Sequence, residues 1–422
     1  PSLSTPLPTN PPPSRLISRP PPPPPPPRLS PPPPPPPPRA PPRGGRPPPP
    51  PARTSVELKA LGLTQQRLII NGVFHASLPD DAVAQAIDMQ GQQALAHMPE
   101  ALRAMPQDEV PLRAIDNVGL PALRALLSDT PQPLSRSKVV MDPMQGRSLQ
   151  QLVDELAQQS HGLVMVMGKG GVGKTTVAAA LALGLQQKGH TVHLSTTDPA
   201  AHLAQTLQAQ VPGLQVSRID PKVETQKYID KIMAAKGPSL DAHEKALLLE
   251  DLQSPCTEEV AVFHAFSHIV AQARTGFVVL DTAPTGHSLL LMDAAGAYHR
   301  QMLSSFEKHT GTAAKVVTPL MRMQDPNYTR IILVTLPEAT PVSQAAALQE
   351  DLRRAHIEPY AWVLNRSVLA AKPRDPLLVA RLAGEVQQIQ RIQTDLAEKL
   401  FVIPFQTEPP VGLAALHRLL TA

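Results

Sequence analysis

The stretch GKGGVGKTT at residues 168–176 carries the residue types that hold the phosphates of a nucleotide. It follows the apolar run LVMVM (163–167) and precedes VAAALALGLQQKG, which has the composition of a helix and ends at Gly189. A glycine-rich turn between a strand and a helix lets backbone N–H groups close on phosphate oxygens, with the helix dipole behind them. The spacing predicts a nucleotide-binding loop made by Gly168, Gly170, Gly171, Val172, Gly173, Lys174, Thr175 and Thr176.

Three side chains of this loop are predicted to act on the nucleotide in different ways. Lys174 would reach the β- and γ-phosphates, and Thr175 would offer its hydroxyl to Mg²⁺. Lys169 follows the first glycine directly and points away from its own loop. This spacing resembles the deviant Walker A class, in which that lysine reaches the phosphates of a facing subunit or half. The alternative for Lys169 is an ordinary solvent-exposed lysine.

Two carboxylates are expected at the same site. TVHLSTTDPAAH (191–202) predicts a strand that runs out to Asp198, and FVVLDTAPTGH (277–287) predicts an apolar strand that ends at Asp281. Ligands of open parallel sheets lie at the carboxyl ends of the strands. We assign the magnesium ion to Asp281 and the orientation of the attacking water to Asp198. Either acid could instead be a simple strand-terminal cap.

The chain contains one cysteine, Cys256, within SPCTEEV (254–260). Ser254 and Pro255 predict a helix N-cap and first position, which puts Cys256 in the first turn, where the helix dipole favours a thiolate. Soft ions prefer two or three sulfur ligands, and this chain offers one. From its surroundings alone, Cys256 is either a small core residue or one member of a site whose other members are missing.

The composition excludes several classes of protein. The 422 residues carry a formal net charge of +4, and residues 1–51 contain arginines but no acidic residue. The remainder is near neutral, which argues against a nucleic-acid partner. No apolar run approaches the roughly 20 residues of a membrane span, and the N-terminus lacks the apolar core of a signal peptide. One cysteine excludes a disulfide framework, so we expect a soluble cytoplasmic protein.

Residues 1–51 hold more than half of the chain's 53 prolines. Such a tract cannot build a core, and its composition predicts an extended polyproline II rod or disorder. It could serve as a ligand for proline-binding domains. The alternatives, which we favour, are a tail without a selected role or sequence translated out of frame.

An internal repeat divides the rest of the chain. QQRLIINGVF (65–74) matches EPYAWVLNRSV (358–368), so that Asn365 lies 294 positions after Asn71, and VGLPALRALL (118–127) matches VGLAALHRLL (411–420) at an offset of 293. Two matches at nearly one offset indicate a duplicated unit. Only 70 residues precede Asn71, too few for a loop like that at Gly168. We therefore expect a proline-rich tail (1–51), the C-terminal fragment of a first ATPase half (52–129), a linker (130–147) and a complete P-loop domain (148–422).

These motifs resemble the arsenical pump-driving ATPase family (ArsA). The resemblance rests on GKGGVGKTT, STTDPAAH, SPCTEEVAVF and above all DTAPTGHSLLLMDAAGAYHR (281–300). It implies an α/β fold, a P-loop NTPase with a mostly parallel sheet flanked by helices. In this family two homologous halves, each with a P-loop, form two ATP sites at their interface. The resemblance covers the second half whole and the first half only as its C-terminal end.

The resemblance also implies ligands. Cys256, His287 and the weaker Ser254 match metalloid ligands, and Asn365 matches the residue that recognises adenine. As(III) and Sb(III) are soft and choose thiolates, and in this family they act as allosteric ligand or substrate. The other thiolates of that site belong to the first half, so Cys256 is expected to be one member of a site whose partners this chain does not encode.

The expected function is hydrolysis of ATP with Mg²⁺, coupled to efflux of arsenite or antimonite. The resemblance implies a membrane channel as partner, with the protein peripheral at the inner face of the membrane when bound to it; a metallochaperone and a homodimer are further candidates. One alternative is the targeting ATPase for tail-anchored membrane proteins, which usually uses a C-x-x-C pair that one cysteine cannot supply. The other is a truncated or wrongly predicted chain that binds ATP without coupled transport.

Overall fold

A computed structural model of the protein describes residues 50–114, 119–126, 146–198, 203–282 and 318–421. The segment 50–126, called here the first segment, contains a two-stranded parallel sheet with helices around it. Its elements are α1 (Pro50–Ala60), β1 (Leu68–Val73), α2 (Ala82–Ala96), α3 (Glu100–Arg103), β2 (Gln107–Pro111) and α4 (Leu120–Leu126).

The segment 146–421, called here the main unit, is an α/β sandwich around one sheet. Its strands are β3 (Gly162–Met167), β4 (Val192–Thr196), β5 (Leu214–Arg218), β6 (Phe277–Asp281), β7 (Thr329–Thr335), β8 (Ala361–Ser367) and β9 (Leu400–Pro404). Its helices are α5 (Leu149–Leu156), α6 (Lys174–Gln187), α7 (Leu203–Leu207), α8 (Pro221–Lys236), α9 (Ala242–Leu252), α10 (Pro255–Gln272), α11 (Pro319–Gln324), α12 (Ala339–Arg354), α13 (Val368–Ala371), α14 (Pro376–Arg391) and α15 (Leu413–Thr421). A short 3₁₀ turn (Gly237–Ser239) follows α8, and a π turn (Ile392–Leu396) follows α14.

The seven strands lie in the order β5-β4-β6-β3-β7-β8-β9, and all neighbours are parallel. Both faces of the central strands are buried, which is why β3 is an unbroken apolar run rather than an alternating one. Val164 and Val166 pack towards α5, α6 and α15, whereas Leu163 and Met165 pack towards α10, α12 and α14. The predicted P-loop α/β fold with a parallel sheet between two helical layers is confirmed.

Elements of the first segment recur in the main unit at one offset. The starts of β1, α2, β2 and α4 precede those of β8, α14, β9 and α15 by 293 or 294 positions. The pair β1–β2 is parallel and shifts register between Asn71 and Val73, and the pair β8–β9 shifts between Leu364 and Ser367. The two sheets therefore share the same local irregularity as well as the same order of elements.

Two aspartates join the first segment to the main unit. Asp81 caps α2 through the backbone N–H groups of Val83 and Ala84, and its other oxygen accepts from the backbone N–H groups of Arg374 and Asp375 at 2.6 and 2.7 Å. Asp375, 294 positions later, caps α14 and accepts from the backbone N–H and hydroxyl of Ser77 at 2.8 and 2.7 Å. Each aspartate thus stabilises a helix of its own segment and a loop of the other.

Apolar side chains from both segments pack beside this contact. Phe74, Val83 and Ala84 of the first segment form one buried cluster with Leu378 and Phe405 of the main unit. The cluster covers the ends of α2 and α14 next to their caps. Hydrogen bonds and apolar burial therefore act together at this contact.

Several boundaries differ from those expected. Pro50 and Pro51 belong to the first turn of α1, because proline is well tolerated at a helix start. β4 ends at Thr196, two residues before Asp198, and β8 continues past Asn365 to Ser367. Arg147 was placed in the linker, but it bridges to Phe401 and pairs with Glu155.

Most of the proline tract and most of the linker lie outside the described residues. Among the helices that are described, none combines the length and the apolarity needed to cross a membrane.

Candidate functional site

The loop between β3 and α6 is held against two neighbouring strands. Gly168 has φ 151°, and a Cβ there would collide with the carbonyl oxygen of Val334 on β7. Gly173 has φ 94°, and a Cβ there would collide with the side-chain amide of Asn365 on β8. Both positions therefore require glycine, and the loop is fixed at the carboxyl end of the sheet.

Lys174 begins α6 and is 6% exposed. Its Nζ donates to the carbonyl oxygen of Lys169 at 3.3 Å, which curls the side chain back over the loop. Burial lowers the pKa of Lys174, and the carboxylates of Asp281 and Asp198 act in the opposite direction. An ammonium group that has lost part of its water shell at the start of a helix is suited to a polyphosphate.

Asp281 ends β6 and is completely buried. Its Oδ2 accepts from the hydroxyls of Thr175 at 2.8 Å and Thr196 at 3.1 Å. Its Oδ1 is buried and has no hydrogen-bond partner among the described residues. Burial raises the pKa of Asp281 and Asp198 adds to the rise, while the two hydroxyls and Lys174 oppose it.

This arrangement fits a divalent cation. An unsatisfied carboxylate oxygen in a buried place is costly unless a ligand completes it. A carboxylate next to a threonine hydroxyl is the oxygen donor set that Mg²⁺ prefers. Asp281 and Thr175 are the described residues that could hold such an ion.

Asp198 follows the end of β4. Its backbone N–H donates to the hydroxyl of Thr196 at 3.0 Å, and Thr196 lies directly opposite Asp281 in the sheet. Thr196 therefore joins the two acids through its single hydroxyl. Sequence reasoning missed this threonine, because its contact with Asp281 depends on β4 being the neighbour of β6.

A cavity of about 250 Å³, called here the loop cleft, opens beside the loop. Asn365 lines it, is buried, and donates from Nδ2 to the carbonyl oxygen of Val172 at 2.9 Å. The cleft's other lining residues include Gly171, Gly173, Thr176, Arg366, Pro404, Phe405 and Gln406. The structure thus brings Asn365 to the loop, in the lining of this cleft.

Three predicted residues add no side chain to this cluster in the described structure. Lys169 is exposed on the loop. Cys256 is exposed in the first turn of α10, with Ser254 at the N-cap and Pro255 at the first position, as predicted. The hydroxyl of Ser254 lies 3.2 Å from that of Thr257.

The remaining metalloid ligand cannot be placed. His287 lies outside the described residues, as does all of DTAPTGH beyond Thr282. No cluster of three or more histidine, cysteine or acidic side chains suited to a metal ion occurs in the part of the chain that the structure describes.

A family model and several known proteins match this chain. A family model described as anion-transporting ATPase matches residues 161–324. The chain is 47% identical over 373 residues to the arsenical pump-driving ATPase of Acidiphilium multivorum, covering 88% of this chain and 63% of that protein. It is also 47% identical over 371 residues to the arsenical pump-driving ATPase of Escherichia coli, covering 87% of this chain and 63% of that protein.

A more distant relative matches a shorter part of the chain. The protein named ATPase ASNA1 homolog 2 of Paramecium tetraurelia is 27% identical over 303 residues, covering 60% of this chain and 91% of that protein. By contrast, the chain spans 63% of the length of the two bacterial relatives. The matched region includes the loop at Gly168, both acids and the start of α10. Over most of its length the chain is therefore similar to arsenical pump-driving ATPases, and its residues 161–324 match the anion-transporting ATPase family model.

Proposed function

We propose that the main unit binds ATP with Mg²⁺ and hydrolyses it at the loop between β3 and α6. The observation that carries this proposal is the buried carboxylate of Asp281, with one oxygen bonded to Thr175 of the loop and the other without a hydrogen-bond partner among the described residues. A nucleotide triphosphate lying on the loop amides would extend over Lys174 and bring a cation to that oxygen. The relatives' names, all of which include ATPase, support the same chemistry.

Each residue has a distinct task in this scheme. Lys174 and the loop N–H groups would hold the β- and γ-phosphates and neutralise charge that moves onto them. Asp281 and Thr175 would hold Mg²⁺, which when bound supplies positive charge to the phosphate oxygens. Asp198 would accept a hydrogen bond from water and aim it at the γ-phosphorus. As the new P–O bond forms, the bond to the β-phosphate oxygen breaks and ADP leaves with the electron pair, while the proton of the attacking water passes to the released phosphate or to bulk water.

Lys169 would act on a second nucleotide rather than on the loop's own. Its backbone carbonyl holds Lys174, while its side chain is exposed beyond the loop. A cation supplied across an interface stabilises the phosphoryl transition state as an arginine finger does, a contribution on the order of 10³ or more in rate. We propose that Lys169 performs this task when two main units face each other, in a homodimer or with another P-loop half.

Coupling to arsenite or antimonite is the second part of the proposal. It is supported by the names of the two bacterial relatives, arsenical pump-driving ATPases, and by the exposed thiol of Cys256 at a helix start. Cys256, with Ser254 and His287, would contribute one side of a metalloid site, and a membrane channel would receive the ion. A chain with one cysteine cannot provide a three-thiolate shell by itself, so metalloid affinity should be weak in a single chain.

Steady-state hydrolysis of ATP tests both parts. We expect slow Mg²⁺-dependent turnover that antimonite barely accelerates at low protein concentration, and stronger stimulation as concentration rises and chains pair. Cys256→Ser should abolish the stimulation and leave the basal rate unchanged. Strong stimulation that is independent of protein concentration would show that a single chain contains a complete metalloid switch. No turnover above that of Lys174→Ala would contradict the hydrolytic proposal.

A further inference from the structure

Arg366 has a backbone conformation that residues with a Cβ rarely adopt. Its φ is 59°, and it lies where β8 and β9 shift register. The position 294 residues earlier is Gly72, with φ 78°, at the corresponding shift between β1 and β2. The fold thus requires a left-handed residue at both places, and glycine meets this requirement without strain. Arginine at 366 is strained, and retained strain points to a task for the side chain.

The guanidinium group of Arg366 lies at a boundary between two cavities. Its central carbon is 5.5 Å from the ring centroid of Phe405. Arg366 and Phe405 both line the loop cleft, and both also line a cavity of about 260 Å³ between the two segments, which Gly72 lines as well. Among the described residues, no carboxylate forms an ion pair with Arg366. Its charge is therefore available to a ligand in the cleft.

The residues that line the loop cleft indicate the class of that ligand. Gly171, Gly173 and Thr176 of the loop line this cleft, and so do Pro404 and Phe405. A nucleotide with its phosphates on the loop would place its flat base among these lining residues, near the guanidinium and Phe405. A guanidinium group is planar and can stack on an aromatic or heteroaromatic ring. An ammonium group is not planar, so it cannot stack in this way.

We propose that Arg366 is a specificity-determining residue that stacks on the base of the bound nucleotide, with Phe405 behind it. The inference rests on the proposed nucleotide site and adds a base contact to it. Because Gly72 occupies the equivalent position of the first segment, Arg366→Gly relieves backbone strain and should fold. Lys372→Gly is a matched control, since Lys372 also has a left-handed backbone, with φ 55°, and is exposed away from both cavities.

The test compares equilibrium binding of Mg·ATP and of inorganic tripolyphosphate to the full chain. Arg366→Gly should weaken binding of ATP about tenfold, the range of a base-stacking contact, and leave binding of tripolyphosphate unchanged. Arg366→Lys should also weaken binding of ATP, because it keeps the charge and loses the plane. Lys372→Gly should bind both ligands as the wild type does.

Three results would overturn the inference alone. They are an unchanged ATP affinity in Arg366→Gly, an equal loss for ATP and tripolyphosphate, and a full recovery of ATP affinity in Arg366→Lys; the last two would mean that the charge acts on phosphate. A wild-type chain that binds neither ligand would overturn the proposed function and this inference together.

Discussion

Asp281 shows at the scale of one residue how burial prepares a site. Its carboxylate is completely buried, and burial raises its pKa because the charged form loses its hydration. The hydroxyls of Thr175 and Thr196 satisfy one oxygen, and the other has no partner within the part of the chain that the structure describes. A cation at the other oxygen would satisfy the remaining lone pairs and offset the cost of burying the charge.

Asp281→Asn separates the charge of this residue from its shape. Asparagine retains an oxygen that accepts from Thr175 and Thr196, so the fold should persist, but the negative charge that attracts Mg²⁺ is lost. We expect Mg²⁺ to increase ATP affinity in the wild type and to give about tenfold less gain in the variant. Titration of ATP with and without Mg²⁺ measures the difference. Asp230→Asn, on the exposed side of α8, is the control, and an equal Mg²⁺ effect in both variants would contradict the assignment.

Local residues of the site could be predicted from the sequence, and distant contacts could not. The loop from Gly168 to Thr176 is one continuous motif, so its spacing alone indicates where each residue lies. Thr196 meets Asp281 only because β4 and β6 are neighbours, although 80 residues separate the two strands in the chain. The strain at Arg366 depends on a register shift between β8 and β9, and the amino-acid composition of the strands does not predict such a shift.

At the scale of elements, the caps of α2 and α14 connect the first segment to the main unit. Asp81→Ala removes the cap of α2 and leaves the backbone N–H groups of Arg374 and Asp375 without their acceptor. We expect the free energy of unfolding to fall by about 2–4 kcal/mol, from a lost cap and unsatisfied buried donors. Chemical denaturation measures it.

The neighbouring acid supplies the control for this prediction. Asp80 pairs with Arg374 at 3.0 Å on the surface, where an ion pair contributes about 1 kcal/mol or less. Asp80→Ala should therefore change stability little. If Asp80→Ala and Asp81→Ala lowered the free energy of unfolding equally, then the surface charge near Arg374, rather than the buried helix cap, would hold the two segments together.

The same contact should respond to acid. Burial acts to raise the pKa of Asp81, but N–H donors from Arg374, Ala84, Asp375 and Val83 outweigh it and hold the pKa below its usual range. A lowered pKa in the folded state contributes stability that is present above the unfolded value of about 3.9 and lost as pH falls through the folded value. Stability measured from pH 6 down to pH 2.5 should therefore decrease more in the wild type than in Asp81→Ala. If the free energy of unfolding fell with pH equally in the wild type and in Asp81→Ala, the result would contradict this prediction.

The order of elements was largely predictable, and their ends were less so. The strands β3 and β6 are short apolar runs, apart from Asp281 at the end of β6, and they lie where the pattern predicts them. The strand at Val192 stops at Thr196 because the chain turns there so that the N–H of Asp198 can reach the Thr196 hydroxyl. A hydrogen bond of this kind decides a boundary that hydrophobic patterning cannot locate.

At the scale of the whole molecule, the two segments differ in how completely they bury their apolar surface. In the main unit β8 pairs with both β7 and β9, whereas β1 pairs with β2 alone among the described residues. Large apolar side chains of the first segment are correspondingly exposed, with Leu61 at 77%, Leu120 at 67% and Ile69 at 63%. We propose that the first segment is the C-terminal fragment of an ATPase half, as the repeat predicts, and that its stability depends on the main unit.

We propose above all that the main unit is a nucleotide site built on Lys174, and calorimetric titration of Mg·ATP into the full chain is the measurement that decides it. We expect the wild type to bind one ATP per chain and Lys174→Ala to lose binding, by about 100-fold or more, because the cation for the β- and γ-phosphates is gone. Thermal unfolding of both proteins would show that the variant is folded. A folded Lys174→Ala variant that binds ATP as tightly as the wild type would contradict the account.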